Sequence, residues 1–266
     1  MTTTWNPSDK SANTTLSGGN LVATFGGSSP GVRSIDRVYS GQYYWEFTFT
    51  TTTNTLVGIC LAGTVFSTLS GGAASVTSTI VLNGGAIWNN GVSSGNVGGT
   101  ISNGSVLCVA LDMGAGLVWF RNGAAGNWNN NVANNPATGV GGLNIAGYAP
   151  PGGPFDVYAV AQGGGGGGVI TANFGASGFA GAVPGSFTSG FPSGTTAINA
   201  EVLTQAAAEQ WSAGTPDARL TQAAIEQWAV VSLGNPQLVL TQAALEQWAS
   251  VAQAIVTQQA LAMILA

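Results

Sequence analysis

The sequence predicts a mainly β protein: an antiparallel β-sandwich followed by a small C-terminal repeat region whose composition favours helix. Three observations carry this reading. Up to about residue 195, short runs rich in β-branched and aromatic residues alternate with clusters of Gly, Asn, Ser and Pro. One of those runs alternates with a period of two, the mark of a strand. Beyond residue 195 glycine nearly vanishes, Ala, Gln, Leu and Glu take over, and a nine-residue motif recurs. The chain therefore divides into a β-sandwich domain, 1–195, and a repeat or oligomerisation region, 196–266.

The elements follow in order. YYWEFTFTTT (43–52) is the clearest strand, with Tyr43, Trp45, Phe47 and Phe49 on one face and Tyr44, Glu46 and Thr48 on the other. Such alternation predicts a half-buried strand. LVGICLA (56–62), SVLCVALDM (105–113) and GLVWFRN (116–122) are further strands, the last two joined tightly through Met113-Gly114-Ala115-Gly116. Gly163 to Gly168 are six consecutive glycines. A phosphate-cradling loop needs a following helix. Here VITANF follows and reads as a strand, so a flexible strand–strand loop is expected. Many short strands with turns between them specify a sandwich rather than a parallel α/β sheet.

The tail carries LTQAAAEQW (203–211), LTQAAIEQW (220–228) and LTQAALEQW (240–248), with a degenerate copy from VTQQALAMIL (256–265). Such spacing is that of one small unit repeated. Ala, Leu, Gln and Glu form helices well, and Leu220, Ala224 and Trp228 share one helical face. A nine-residue helix is marginal alone. A strand reading, with Leu220, Gln222, Ala224, Glu226 and Trp228 on one side, remains the alternative for the first two repeats.

Composition excludes several functions. Charged residues are 6% of the chain, against roughly 25% in an ordinary globular domain. A surface so poor in charge repels copies of itself weakly, which favours close packing in an assembly. The five basic residues, Lys10, Arg33, Arg37, Arg121 and Arg219, are scattered singly and the net charge is -5. Phosphate neutralisation needs clustered cations, so no nucleic-acid partner is expected. The chain has no histidine, which removes the commonest general base, the Ser-His-Asp triad and most zinc sites. Asp9, Asp36, Asp112 and Asp156 each stand alone in sequence, with nothing to pair them as a glycosidase would require. The expectation is a non-enzymatic protein with no cofactor and no metal. Cys60 and Cys108 lie inside apolar runs and read as buried free thiols, with a disulfide between them as the alternative. The opening MTTTWNPSDK lacks the charged and apolar regions of a secretory leader. With no run of about 18 apolar residues, no membrane insertion is expected.

SGQYYWEFTF (40–49), preceded by GVRS (31–34), resembles an early strand of the SPRY family. LVGIC (56–60) is similar to that family's VGI strand, and SVLCVALDMGAGLVWFRNG (105–123) to its V-A-L-D/V-W-F hairpin. VITANFGASGFA (169–180) resembles its closing strand and N-F-G turn. The resemblance covers about residues 1–190. It implies a SPRY-like sandwich that recognises a partner, usually a protein or peptide, through loops at one end, without catalysis. The strand residues Trp45, Trp119 and Phe174 read as core.

Loop aromatics set among amides are the partner-binding candidates: Trp88, Asn89, Asn90, Trp128, Asn129 and Tyr148. Trp and Tyr supply flat anchoring area and Asn adaptable hydrogen bonds; such a set also suits sugar faces. The competing reading is that each aromatic plugs an end of the sandwich. Low charge, Gly/Asn/Thr richness and T-Q-x-x-x-E repeats together resemble virion or tail-associated proteins of bacteriophages. That resemblance implies a virion structural component, partnered by copies of itself and by other virion proteins. The alternative is a receptor-binding module for a host surface protein or glycan. Trp211, Trp228, Trp248, Ile255, Leu261 and Ile264 are the oligomerisation candidates, since short apolar segments cannot bury their own faces alone.

Overall fold

The structure, a computed structural model, describes residues 3–69, 73–151, 156–164 and 166–192. The domain boundary near 195 and the tail candidates Trp211, Trp228, Trp248, Ile255, Leu261 and Ile264 lie outside the described residues.

Two antiparallel sheets stack on each other. The first takes, in spatial order, β1 (Trp5–Lys10), β4 (Gly31–Ser34), β13 (Val157–Gly163), β6 (Thr55–Leu61), β7 (Ser78–Leu82), β8 (Ala86–Asn89) and β9 (Val92–Asn96). The second takes β12 (Leu143–Asn144), β11 (Leu117–Asn122), β10 (Val106–Asp112), β5 (Gln42–Thr51), β14 (Val169–Asn173), β3 (Val22–Phe25) and β2 (Thr14–Ser17). A two-residue strand, β15 (Thr188–Ser189), runs parallel to β5 beside Tyr43 and Tyr44. The expected fold class, a mainly β antiparallel sandwich, is the one observed. The expected hairpin is β10–β11, in which the Asp112 carboxylate accepts the Ala115 N–H at 2.9 Å. The glycine run connects β13 to β14, both strands.

Alternation builds the core. Trp45, Phe47 and Phe49 of β5 face Val57 and Ile59 of β6, Val81 of β7 and Ala159 and Ala161 of β13 across the sandwich, all buried. Trp5 stacks on Phe47 with ring centres 5.8 Å apart and meets Phe174 edge-on at 5.1 Å. Strand β1 of one sheet is thereby tied to β5 and the end of β14 in the other. At Gly58 on β6 the strands approach so closely that a Cβ would overlap the Thr79 carbonyl oxygen and lie 2.8 Å from Ile80 Cα. Backbone cannot yield as a flexible side chain does. Gly58→Ala should therefore cost about 3 kcal/mol, read as a lowered denaturant midpoint at unchanged slope.

The half-buried reading of β5 needs correction. Its second face is not solvated: Tyr44 is fully buried and Glu46 is 3% exposed. After β14 the chain crosses the outer face of the second sheet, setting Phe179, Val183 and Phe187 against Tyr44, Cys108, Ala110 and Trp119. The segment is held by the Glu46 carboxylate, which accepts Ala180 N–H at 2.9 Å, Gly181 N–H at 2.7 Å and the Tyr44 hydroxyl at 2.6 Å. The outer face of the first sheet is likewise covered around Leu56, Cys60, Ile80 and Val160, where Leu69 is buried and Phe66 and Trp88 pack alongside. Cys60 and Cys108 thus sit on different sheets, one on each outer face, buried and free.

Candidate interaction surface

The amide-rich loops converge beside the β8–β9 hairpin. Trp88 and Asn89 lie on strand β8 rather than in a loop. Asn90 and Gly91 close the hairpin, both with positive φ (49° and 78°), the Asn-Gly combination that two-residue hairpin turns demand. Trp88 is partly buried against the outer-face cluster of the first sheet. Asn89 accepts from Thr79 Oγ1 at 2.8 Å and donates to the Asn144 carbonyl at 2.8 Å. The Thr79 hydroxyl also meets the Tyr148 hydroxyl at 2.6 Å, and Tyr148 is 7% exposed. Asn90 accepts the Thr77 N–H at 3.0 Å.

Trp128 opens a single 3₁₀ turn, Trp128–Asn130, and is 8% exposed. The Arg121 guanidinium lies 4.4 Å from its ring centre, and Tyr44 meets it edge-on at 6.4 Å. Cation–π attraction and burial therefore hold this Trp inward. Asn129, at a φ of 46° that Asn tolerates better than most residues, accepts the Phe120 N–H and donates to the Gly141 carbonyl. Trp128 and Tyr148 accordingly present little surface, and the Asn129 side chain spends both amide functions on the fold.

What the loops do present is amide and aliphatic. Asn130 donates to Asn96 Oδ1 at 2.9 Å and bridges the loop to β9. Asn131 and Asn135 each cap their own turn through an N–H two residues on, and Asn134 donates to the Trp128 carbonyl at 2.9 Å. Each bond leaves part of an exposed amide facing outward. Val132 in the same loop is 86% exposed and Val140 48%, and Val92 at the start of β9 is 65% exposed. Sequence reasoning passed over these valines and Asn96, although one signal marked them. No ionisable side chain occurs from Phe47 to Leu111, apart from the buried Cys60 and Cys108, and none from Asn122 to Phe155 except the buried Tyr148.

The carboxylates of the described residues serve the fold. Asp9 pairs with Arg33 at 2.7 Å and Asp156 with Arg37 at 3.1 Å. Asp112 accepts from Gln42 at 2.7 Å, Glu46 holds the covering segment, and Asp36 is buried. Arg33 also donates to the Thr64 carbonyl and lies over the Phe66 ring. Burial pushes the Cys60 thiol up to about 11 against the opposing pull of Arg33, and burial likewise raises Cys108. Both are protonated at neutral pH and poor nucleophiles. Burial raises the Tyr44 and Tyr148 phenols far above their usual range. Among the described residues no three His, Cys, Asp or Glu side chains gather as metal ligands, and no helix is long and apolar enough to cross a membrane.

The site so defined is a charge-poor, amide-latched surface on a β-sandwich. Among solved structures, the chain is similar to the SPRY domain of human HERC1, with a TM-score of 0.49, 15% identity and coverage of 64% of this chain and 96% of that one. It is similar to the TRIM65 PSpry domain with a TM-score of 0.43 and 14% identity, covering 65% of this chain and 92% of that one. A third likeness is to stonustoxin, with a TM-score of 0.45 and 18% identity over 65% of this chain and 27% of that one. No family model matches the chain. No curated protein matches it.

Proposed function

We propose that this chain is a non-enzymatic structural component of a phage virion, in which the SPRY-like sandwich is a displayed interaction domain and the repeat region mediates assembly with copies of itself and other virion proteins. The observation that carries the interaction role is the loop surface around Asn96, Asn130, Asn131 and Val132. It is held rigid by its own amides, so little loop-ordering entropy opposes binding. It carries no charge, so it suits an uncharged partner surface. The virion setting rests on the sequence resemblance of the repeats and on the scarcity of charge.

The alternative, a receptor-binding module, uses the same surface. Here the burial of Trp128 and Tyr148 favours a host protein over a glycan, because neither ring offers a face on which a sugar could stack, whereas the exposed valines suit an apolar protein contact.

The test uses the full chain. Val132→Asp together with Asn131→Asp should weaken binding to particle or host partner about tenfold, through an unpaired charge buried at the contact. Wild-type binding should change less than about twofold as salt is raised, because few charges are present to screen. Unchanged binding by the double variant removes the loop surface from the proposal. A monomeric full-length chain in light scattering removes the assembly role.

A further inference from the structure

Asn-Gly pairs occur at Asn83–Gly84, Asn90–Gly91, Asn103–Gly104 and Asn122–Gly123. Glycine after asparagine leaves the following nitrogen unhindered, so such pairs can close on themselves. The fold treats the four differently. Gly91 N–H donates to the Ser75 carbonyl at 3.1 Å, while Asn90 is held by Thr77. Gly104 N–H donates to the Phe49 carbonyl at 2.8 Å, and the Asn103 amide oxygen accepts both the N–H and the hydroxyl of Thr52 at 2.9 Å. Gly123 N–H donates to the Val106 carbonyl at 2.7 Å, with Asn122 inside β11. At the β7–β8 turn the Asn83 main chain donates to the Thr55 carbonyl and accepts from the Ile101 N–H, but neither the Asn83 side-chain amide nor the Gly84 N–H has a hydrogen-bond partner among the described residues. A Cβ placed on Gly84 would meet nothing within 4 Å. Asn83 also lines a recess of about 230 Å³ with Asn54, Leu56, Leu82, Gln162 and Gly164, which gives water access to the reacting amide.

We propose that Asn83–Gly84 is a spontaneous modification site, at which the folded protein converts an amide to a carboxylate. The Gly84 nitrogen gives up its proton to hydroxide and attacks Asn83 Cγ. The new C–N bond closes a five-membered imide as the Cγ–Nδ2 bond breaks, and Nδ2 leaves as ammonia after taking a proton from water. Water then opens the imide at either carbonyl, giving aspartate or isoaspartate. No electron transfer is involved. Each converted chain gains one negative charge beyond the -5 it carries, placed at the rim of the recess in an otherwise uncharged stretch.

The experiment incubates the full chain in mildly alkaline buffer and follows all four sites by peptide mass spectrometry, with isoelectric focusing of the intact protein. Asn83 should convert at least about tenfold faster than Asn90, Asn103 or Asn122, since at each of those the attacking glycine N–H must first leave its hydrogen bond. In denaturant the ranking should collapse, because the local sequences are nearly equivalent. Gly84→Ala fits the open turn and should slow conversion at Asn83 about tenfold without changing the fold, because the added methyl hinders the nitrogen. Equal rates at the four sites of the folded protein, a faster rate at any of the other three, or an Asn83 rate insensitive to Gly84→Ala would each overturn the proposal.

Discussion

Glu46→Ala should destabilise the sandwich by about 3–5 kcal/mol, because it leaves several buried donors without an acceptor at once. Ala180 N–H, Gly181 N–H and the Tyr44 hydroxyl all converge on this carboxylate, and the Cys108 thiol lies 3.7 Å from it. Packing leaves little room for water to substitute: a Cβ on Gly181 would come within 2.7 Å of the Tyr44 hydroxyl and 3.0 Å of Cys108 Sγ. Glu46→Gln retains one oxygen but turns an NH₂ toward donors, and should cost about 2 kcal/mol. Denaturant titration gives the size of the effect. Hydrogen exchange at Ala180 and Gly181 separates its cause: their protection should fall more than that of β10 and β11, because the covering segment detaches before the sheets open. Exchange at 180 and 181 that merely follows the global loss would show that Glu46 does not hold the segment.

Trp5→Ala should cost a similar amount, about 3–5 kcal/mol, for a different reason. Trp5 is fully buried between Phe47 and Phe174 and donates its Nε1–H to the Leu21 carbonyl at 3.1 Å. Its removal leaves a cavity between the sheets and forfeits the indole bond to the Leu21 carbonyl, which keeps the Ala172 N–H at 2.8 Å. Trp5→Phe should recover much of the loss, since it refills most of the volume and forfeits the hydrogen bond. Thermal unfolding of the two variants checks the ordering. If Trp5→Ala were no worse than Trp5→Phe, the cavity would have collapsed and the packing argument would fail.

The strands legible in the sequence were those with a strong local signature. Period-two alternation placed Trp45, Phe47 and Phe49 in the core, and the glycine-containing link between two apolar runs gave the β10–β11 hairpin. Strands β1, β8 and β9 were not legible. WNPSDK holds a proline and charges, and VSSGN has one β-branched residue, so neither advertises a strand. Their pairing comes from partners distant in sequence or from a turn: β1 lies on β4, and Asn90–Gly91 folds β9 onto β8. The candidate site was legible as a region rather than as a set of contacts. The sequence marked amide-rich segments without charge. It did not show that Trp128 and Tyr148 turn inward while Val132 turns out.

By itself, then, the sequence determined the alternation of faces, the sandwich class, the scarcity of charge and the absence of a histidine-based site, because these are local or compositional properties. Tertiary structure decided which faces are covered. The second face of β5 carries Tyr44 and Glu46, a polar pattern that a strand alone would leave to solvent. It is buried because Ala180 and Gly181, 134 and 135 residues further along, donate to that carboxylate. A buried charge is tolerable only where donors meet it, and no local pattern records donors supplied from so far along the chain.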